Sequence, residues 1–330
     1  MRRRAFITLV GAAAALALGR PRAMRAEQAS DRPLIALLSP ISRATAARNV
    51  EAFRAGLRDL GYVEGRNIAI ELRFADGAIE RLPDLATEVV ALKPAVIVAG
   101  SPPAAAAVRN ATRTIPIIMN SSEDPIALGL VASLSRPGGN ITGFWWGDEG
   151  LIGKRLELLK EVVPSTARVG IMVDPADANT TEPLKSLPDV TRALNITTRV
   201  IEARTPKDFE TAFAIAAREN LQGLHVSITP LFIGNRAAFT ALAANGRLPV
   251  VYGIREFVEA GGLMSYGPSL PGLYRDKARL VDKILKGISP ADLPIERSAK
   301  FELAINLRVA KALGLTVPES FLLRADEVIE

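Results

Sequence analysis

Five serines stand where a hydroxyl could hold an anion: Ser39, Ser42, Ser101, Ser121 and Ser122. They lie at or near the carboxyl ends of short apolar runs that read as strands, beside stretches with helical spacing. Free backbone N–H groups and the positive end of a helix dipole collect at such places. Together with a hydroxyl they suit a carboxylate or another small anion. Gly100 opens one of these turns, Gly100-Ser101-Pro102-Pro103. For any single serine, capping the following helix is an equally good use. Asp124, directly before Pro125, reads as a helix cap. Trp145, Trp146, Tyr252 and Tyr266 fall at or near the two places where the chain is expected to pass between halves of the molecule. They could stack on an apolar or aromatic ligand or fill the seam.

Catalytic constellations are missing. His225 is the sole histidine and sits inside the apolar run Leu224-His225-Val226, so it reads as a packed, hydrogen-bonded core residue. A serine triad has no histidine to use. Gly138 and Gly143 have the glycine spacing of a P-loop, but Phe144 stands where lysine is required. No Gly-x-Gly-x-x-Gly follows the first strand, so dinucleotide binding lacks its fingerprint. Cysteine is absent, which excludes disulfides, thiolate metal sites and cysteine nucleophiles. No enzyme activity, metal or cofactor is expected.

The elements that must carry these residues alternate along the whole chain. Leu34 to Leu38, Ile68 to Phe74, Val96 to Ala99, Ile117 to Met119 and Ile141 to Phe144 read as strands. Stretches with helical spacing separate them, and one of these is expected to start at Pro125. The second half repeats the rhythm with Val169 to Val173, Thr198 to Ile201, Leu224 to Ile228, Val250 to Tyr252, Gly261 to Gly267 and Phe301 to Ile305. Thr181 to Leu194 reads as a helix broken by Pro183 and Pro188. Strand–helix alternation of this kind means parallel sheets with crossover helices. Two such runs in 330 residues predict an α/β protein of two doubly wound parallel-sheet domains. Ligands of open parallel sheets lie beyond the carboxyl ends of the strands, which is where the serines are.

The net charge of +6 is concentrated at the amino terminus. Arg2, Arg3, Arg4, Arg20, Arg22 and Arg25 lie in the first 26 residues, which hold no acid. Subtracting those six from 41 basic residues leaves 35 against 35 acidic ones. No basic stripe with interleaved aromatics remains, so nucleic acid is not expected as a partner. Residues 1–26 read as an export signal, with a charged start and an apolar Leu9 to Leu18 too short to span a bilayer. The pair Arg3-Arg4 followed by Phe6-Ile7 resembles the twin-arginine type, an ordinary basic-start signal being the alternative. A soluble periplasmic protein is the expectation.

Four separated stretches resemble a known family. They are the leader Arg2 to Thr8, Ser135-Arg136-Pro137-Gly138-Gly139-Asn140-Ile141-Thr142-Gly143, Gly262 to Pro268, and Lys300 to Leu307. The chain resembles the ABC-transporter substrate-binding family that includes tryptophan- and tyrosine-binding proteins. The resemblance implies a type I periplasmic binding-protein fold with a multi-crossing hinge. It places residues 27–146 with 266–296 in one domain and 147–265 with 297–330 in the other. It also brings Gly100-Ser101, Ser122, Asp174 and Tyr252 to the pocket loops. A small-molecule ligand is implied, an amino acid or other carboxylate with aromatics favoured. An inner-membrane ABC permease would be the partner of a monomeric receptor; a sensory module presenting its ligand to a membrane receptor is the alternative.

Overall fold

The computed structural model describes residues 32–147, 150–177, 184–297 and 300–330. The expected export signal, residues 1–26, lies outside the described residues, as do Asp148, Glu149, Ser298, Ala299 and the expected break at Pro183. The strands are β1 (Leu34–Ser39), β2 (Ala69–Phe74), β3 (Val96–Ala99), β4 (Ile117–Ser121), β5 (Ile141–Trp145), β6 (Arg168–Val173), β7 (Thr197–Glu202), β8 (Gly223–Val226), β9 (Val250–Tyr252), β10 (Met264–Pro268), β11 (Glu296–Arg297), β12 (Phe301–Asn306) and β13 (Glu327–Ile329). The helices are α1 (Arg43–Asp59), α2 (Leu82–Ala91), α3 (Pro102–Ala111), α4 (Leu151–Val162), α5 (Leu187–Leu194), α6 (Asp208–Arg218), α7 (Pro230–Gly234), α8 (Arg236–Asn245), α9 (Glu256–Glu259), α10 (Leu270–Leu285), α11 (Leu307–Ala312) and α12 (Glu319–Leu322).

Among the described residues the strands form two sheets, of order β11-β5-β4-β3-β1-β2 and β13-β12-β10-β9-β8-β6-β7. Each pairing in the first is parallel. In the second only β10 and β12 run antiparallel. The protein is therefore an α/β fold of two mostly parallel sheets. The reason is visible in β1, where Ile35 to Leu38 are all fully buried. An unbroken apolar run cannot face water on either side, so helices must cover both faces of its sheet.

Late segments return to the first sheet. Helix α10 lies along α1: Tyr62, just beyond α1, donates its hydroxyl to Asp282 at 2.9 Å, and Arg275 pairs with Asp59. Strand β11 then adds to β5, Arg297 aligning with Trp145. Strand β10 stays paired in the second sheet through Pro268, opposite Phe301.

Two local expectations differ from the structure. No helix starts at Pro125: residues 125–129 form turns, the Asp124 carboxylate accepting from Ile126 N at 2.8 Å. Gly129, with φ of +62°, ends any helical run there. Conversely α7 was not apparent in the sequence pattern, because five residues are too few to show a helical period. Its cap is plain afterwards: Thr229 Oγ1 accepts from Phe232 N at 3.3 Å, and Pro230 occupies the first turn.

Candidate functional site

The carboxyl ends of β1, β3, β4, β6 and β8 converge on one cleft of about 560 Å³, open solvent included. The first sheet supplies Ser39, Gly100, Ser101, Asn120 and Ser122, with Asn49 from α1 and Trp146 after β5. From the second come Asp177, Ile228, Thr229 and Pro230, and α10 adds Leu270 and Tyr274.

Local rules build the first wall. Ser101 is the N-cap of α3, its Oγ accepting from Ala104 N at 3.2 Å, with Pro102 in the first turn. It lines the cleft at the same time, so capping and ligand contact are not exclusive for this hydroxyl. Gly100 has a packing reason to lack a side chain: a Cβ there would come within 2.7 Å of Tyr274 Oη. Asn120 Nδ2 reaches toward Gly100 O at 3.5 Å, and its Oδ1 accepts from Lys277 Nζ. In the loop after β4, burial and then the Asp177 charge push the Glu123 carboxyl up to about 7. Hydroxyl and amide groups thus line the first wall, and the Asp177 carboxylate enters the cleft from the loop after β6.

Of the nine residues expected at the site, Ser39, Gly100, Ser101 and Ser122 line the cleft. The other five do not line it. Ser42 caps α1, accepting from Thr45 N at 3.2 Å. Ser121 is fully buried and closes a turn, accepting from Glu123 N at 3.1 Å and donating to Glu123 O at 2.9 Å. Asp174 is buried and accepts from Ala176 N at 3.0 Å, and burial raises its carboxyl. Tyr252 is a core residue in this structure. Its ring stacks on Phe257 at 4.5 Å with no exposed surface, because β9 lies in the interior of its sheet. Tyr266 stacks on Phe301 at 5.9 Å, and its carbonyl accepts from Arg155 Nε at 2.7 Å. His225 is buried beside Arg155, with Nη1 to Nε2 at 3.5 Å. Burial first, then the guanidinium, hold its imidazole well below the usual pKa.

Sequence reasoning passed over Asn120, Asp177, Thr229, Tyr274 and Lys277. Tyr274 and Lys277 carried a faint signal: both fall on the apolar stripe of α10, with Ala278, Val281 and Ile284. A lysine on such a stripe must be buried or paired. Among the described residues no group of three or more His, Cys, Asp or Glu could hold a metal. No described helix is long and apolar enough to cross a membrane.

Residues 34–329 match the family model described as ABC transporter substrate binding protein. The chain belongs to this family. A tyrosine-binding protein from Clostridioides difficile is 30% identical over 266 residues, covering 80% of this substrate-binding protein and 76% of the relative. The crystal structure of an ABC domain in complex with L-Trp from Streptococcus pneumonia overlays with a TM-score of 0.83 at 23% identity, covering 90% of this chain and all of the other. A ligand-free, open substrate-binding protein with adhesive properties from Clostridium difficile gives 0.67 at 24% identity, covering 90% and 99%. The family is one of substrate-binding proteins rather than enzymes.

Proposed function

We propose that this substrate-binding protein is the periplasmic receptor of an ABC importer, clamping an amino acid or related carboxylate between its two sheets. The observation that carries the reading is the cleft itself, built from the carboxyl ends of strands in both sheets. In open parallel sheets that edge is where ligands bind. The tyrosine- and tryptophan-binding relatives favour an aromatic side chain, for which Trp146, Ile228 and Tyr274 offer apolar surface. A monomer handing its ligand to an inner-membrane permease, without catalysis, completes the proposal. The two domains are 27–146 with 266–296 and 147–265 with 297–330, crossed three times by the chain.

The deciding experiment is mass spectrometry of small molecules released by denaturing the purified protein, followed by calorimetric titration with L-tryptophan and L-tyrosine. Release of a molecule with no acidic group, and no heat from either amino acid, would overturn the reading. Ser101→Ala should weaken binding by roughly tenfold to a hundredfold, the worth of a hydrogen bond to a charged group. Ser42→Ala should leave affinity alone and cost about 1 kcal/mol of stability as a lost cap. Equal affinities for the two variants would return Ser101 to capping alone.

A clamp must also move. Small-angle scattering should show a larger radius of gyration without ligand than at saturation. The same radius in both states would count against hinge bending.

A further inference from the structure

Behind the first wall of the cleft lies a buried lysine. Lys277 projects from the inward face of α10 with no exposed surface. Its Nζ donates to Ala99 O at 3.1 Å and to Asn120 Oδ1, and it sits 4.1 Å from the centre of the Tyr274 ring. None of these three groups is an anion, and among the described residues Lys277 makes no ion pair. Burial alone lowers its pKa to about 7. The elements packed on α10 are α1, β3, β4 and β5. The charges of α1, from Arg43 to Asp59, do not contribute to that shift, nor do Arg275, Asp276 and Arg279 of α10 itself. The strands carry no ionisable side chain on this stretch. The nearest titratable neighbour, the Tyr274 phenol, is pushed well up by burial and is neutral.

An ammonium held away from water without a counter-charge is costly. Each of its contacts leads to the cleft. Asn120 and Tyr274 line it, and Ala99 is followed by Gly100, which lines it too. The ammonium also settles how Asn120 is turned. Three donors can face only the amide oxygen, so Nδ2 is left on the other side, 3.5 Å from Gly100 O. The wall therefore presents donors backed by a lysine that an anion in the cleft would hold in its charged form.

We infer that Lys277 is the counter-charge of the binding cleft: through Asn120 it fits the first wall to an anionic group, and selects ligands that carry a carboxylate over their neutral counterparts. This rests on the cleft being the ligand site and adds which end of the ligand faces the first sheet. Lys277 acts as a positioning residue, since Asn120 stands between it and the cleft.

The test is a thermal-shift and calorimetric comparison of wild type and Lys277→Met at pH 7.5. The probes are L-tryptophan, L-tyrosine, indole-3-acetate, benzoate and acetate, each against its own amide. Wild type should prefer the acid of a pair by roughly tenfold to a hundredfold. Lys277→Met should lose that preference while keeping its affinity for the amide, a split that general loosening of the fold would not produce. Binding of the acid should also draw a fraction of a proton from solution in wild type and none in the variant, read from heats in buffers of different ionisation enthalpy. An unchanged acid-to-amide ratio in Lys277→Met overturns the inference. So does a wild type that binds acid and amide alike, or that binds none of the acids. If a simple carboxylate binds in wild type but neither amino acid does, the amino-acid reading fails and the role of Lys277 stands. Should Lys277→Met not fold, wild-type proton uptake decides alone, and its absence on binding of an acid overturns the counter-charge.

Discussion

Gly143→Ala is expected to destabilise the protein by roughly 3–5 kcal/mol, combining backbone strain with an overpacked contact. Gly143 lies in β5 with φ of +145°, a conformation that side chains other than hydrogen rarely adopt. It pairs directly with Met119 of β4. A Cβ at this position would sit 2.7 Å from Met119 N and closer still to Met119 O. Both are backbone atoms of a neighbouring strand, so no rotamer change relieves the clash. The strands must separate or the register must shift. Strand β4 runs directly into the cleft through Asn120 and Ser122, so ligand affinity should fall together with stability. Gly139→Ala is the control, because nothing lies within 4 Å of its added carbon; it should change stability by less than about 0.5 kcal/mol. Urea denaturation followed by circular dichroism gives both midpoints, and coincident midpoints for the two variants would refute the argument.

Gly143 also illustrates how much could be read from the chain alone. The run Asn140-Ile141-Thr142-Gly143-Phe144 announced a strand through its residue types, but only the partner strand explains why the glycine is there. The alternation of strand and helix was legible because buried parallel strands are continuous apolar runs, and the two sheets follow from it. Strand ends pointed to Ser39, Gly100, Ser101 and Ser122, which the fold places on the cleft wall. Strand ends alone could not separate Ser122 from Ser121, since that needs the parity of β4. Side chains alternate faces along a strand, so Asn120 and Ser122 reach the cleft while Ser121 turns away into Glu123. Tyr252 misled for a related reason. In a sheet covered on both faces either parity is buried, so an aromatic at a strand end need not face the ligand. Asp177 rather than Asp174 lines the cleft because the chain turns directly after β6, Asp177 N donating to Asp174 O at 3.0 Å while the Asp174 carboxylate is held by Ala176 N. Tyr274 and Lys277 were hidden differently. They belong to a helix far along the sequence that returns to the first sheet, and their spacing looks like an ordinary packing stripe.

Lys277 should leave a mark on the stability of the free protein as pH changes. In the unfolded chain its ammonium keeps the ordinary value of 10.5, whereas burial lowers it to about 7 in the fold. Between those values the unfolded state binds the extra proton, so stability rises with pH across that window. The contribution is fully present above the unfolded value and is lost as pH falls through about 7. At 1.36 kcal/mol per unit, wild type should gain roughly 2–3 kcal/mol from pH 7 to 9 relative to Lys277→Met, which has no proton to lose. Glu123 acts in the opposite sense and in another window. Its carboxyl is raised from 4.5 to about 7, so the stability it gives is present below 4.5 and is lost as pH rises through about 7. Because Glu123 is unaltered in Lys277→Met, subtracting the two pH profiles isolates the lysine. Urea midpoints measured from pH 6 to 9.5 on both proteins supply those profiles. A flat difference would mean that Lys277 keeps its proton in the fold, and the ammonium would then have to be stabilised by something stronger than an amide oxygen, a carbonyl and a ring face.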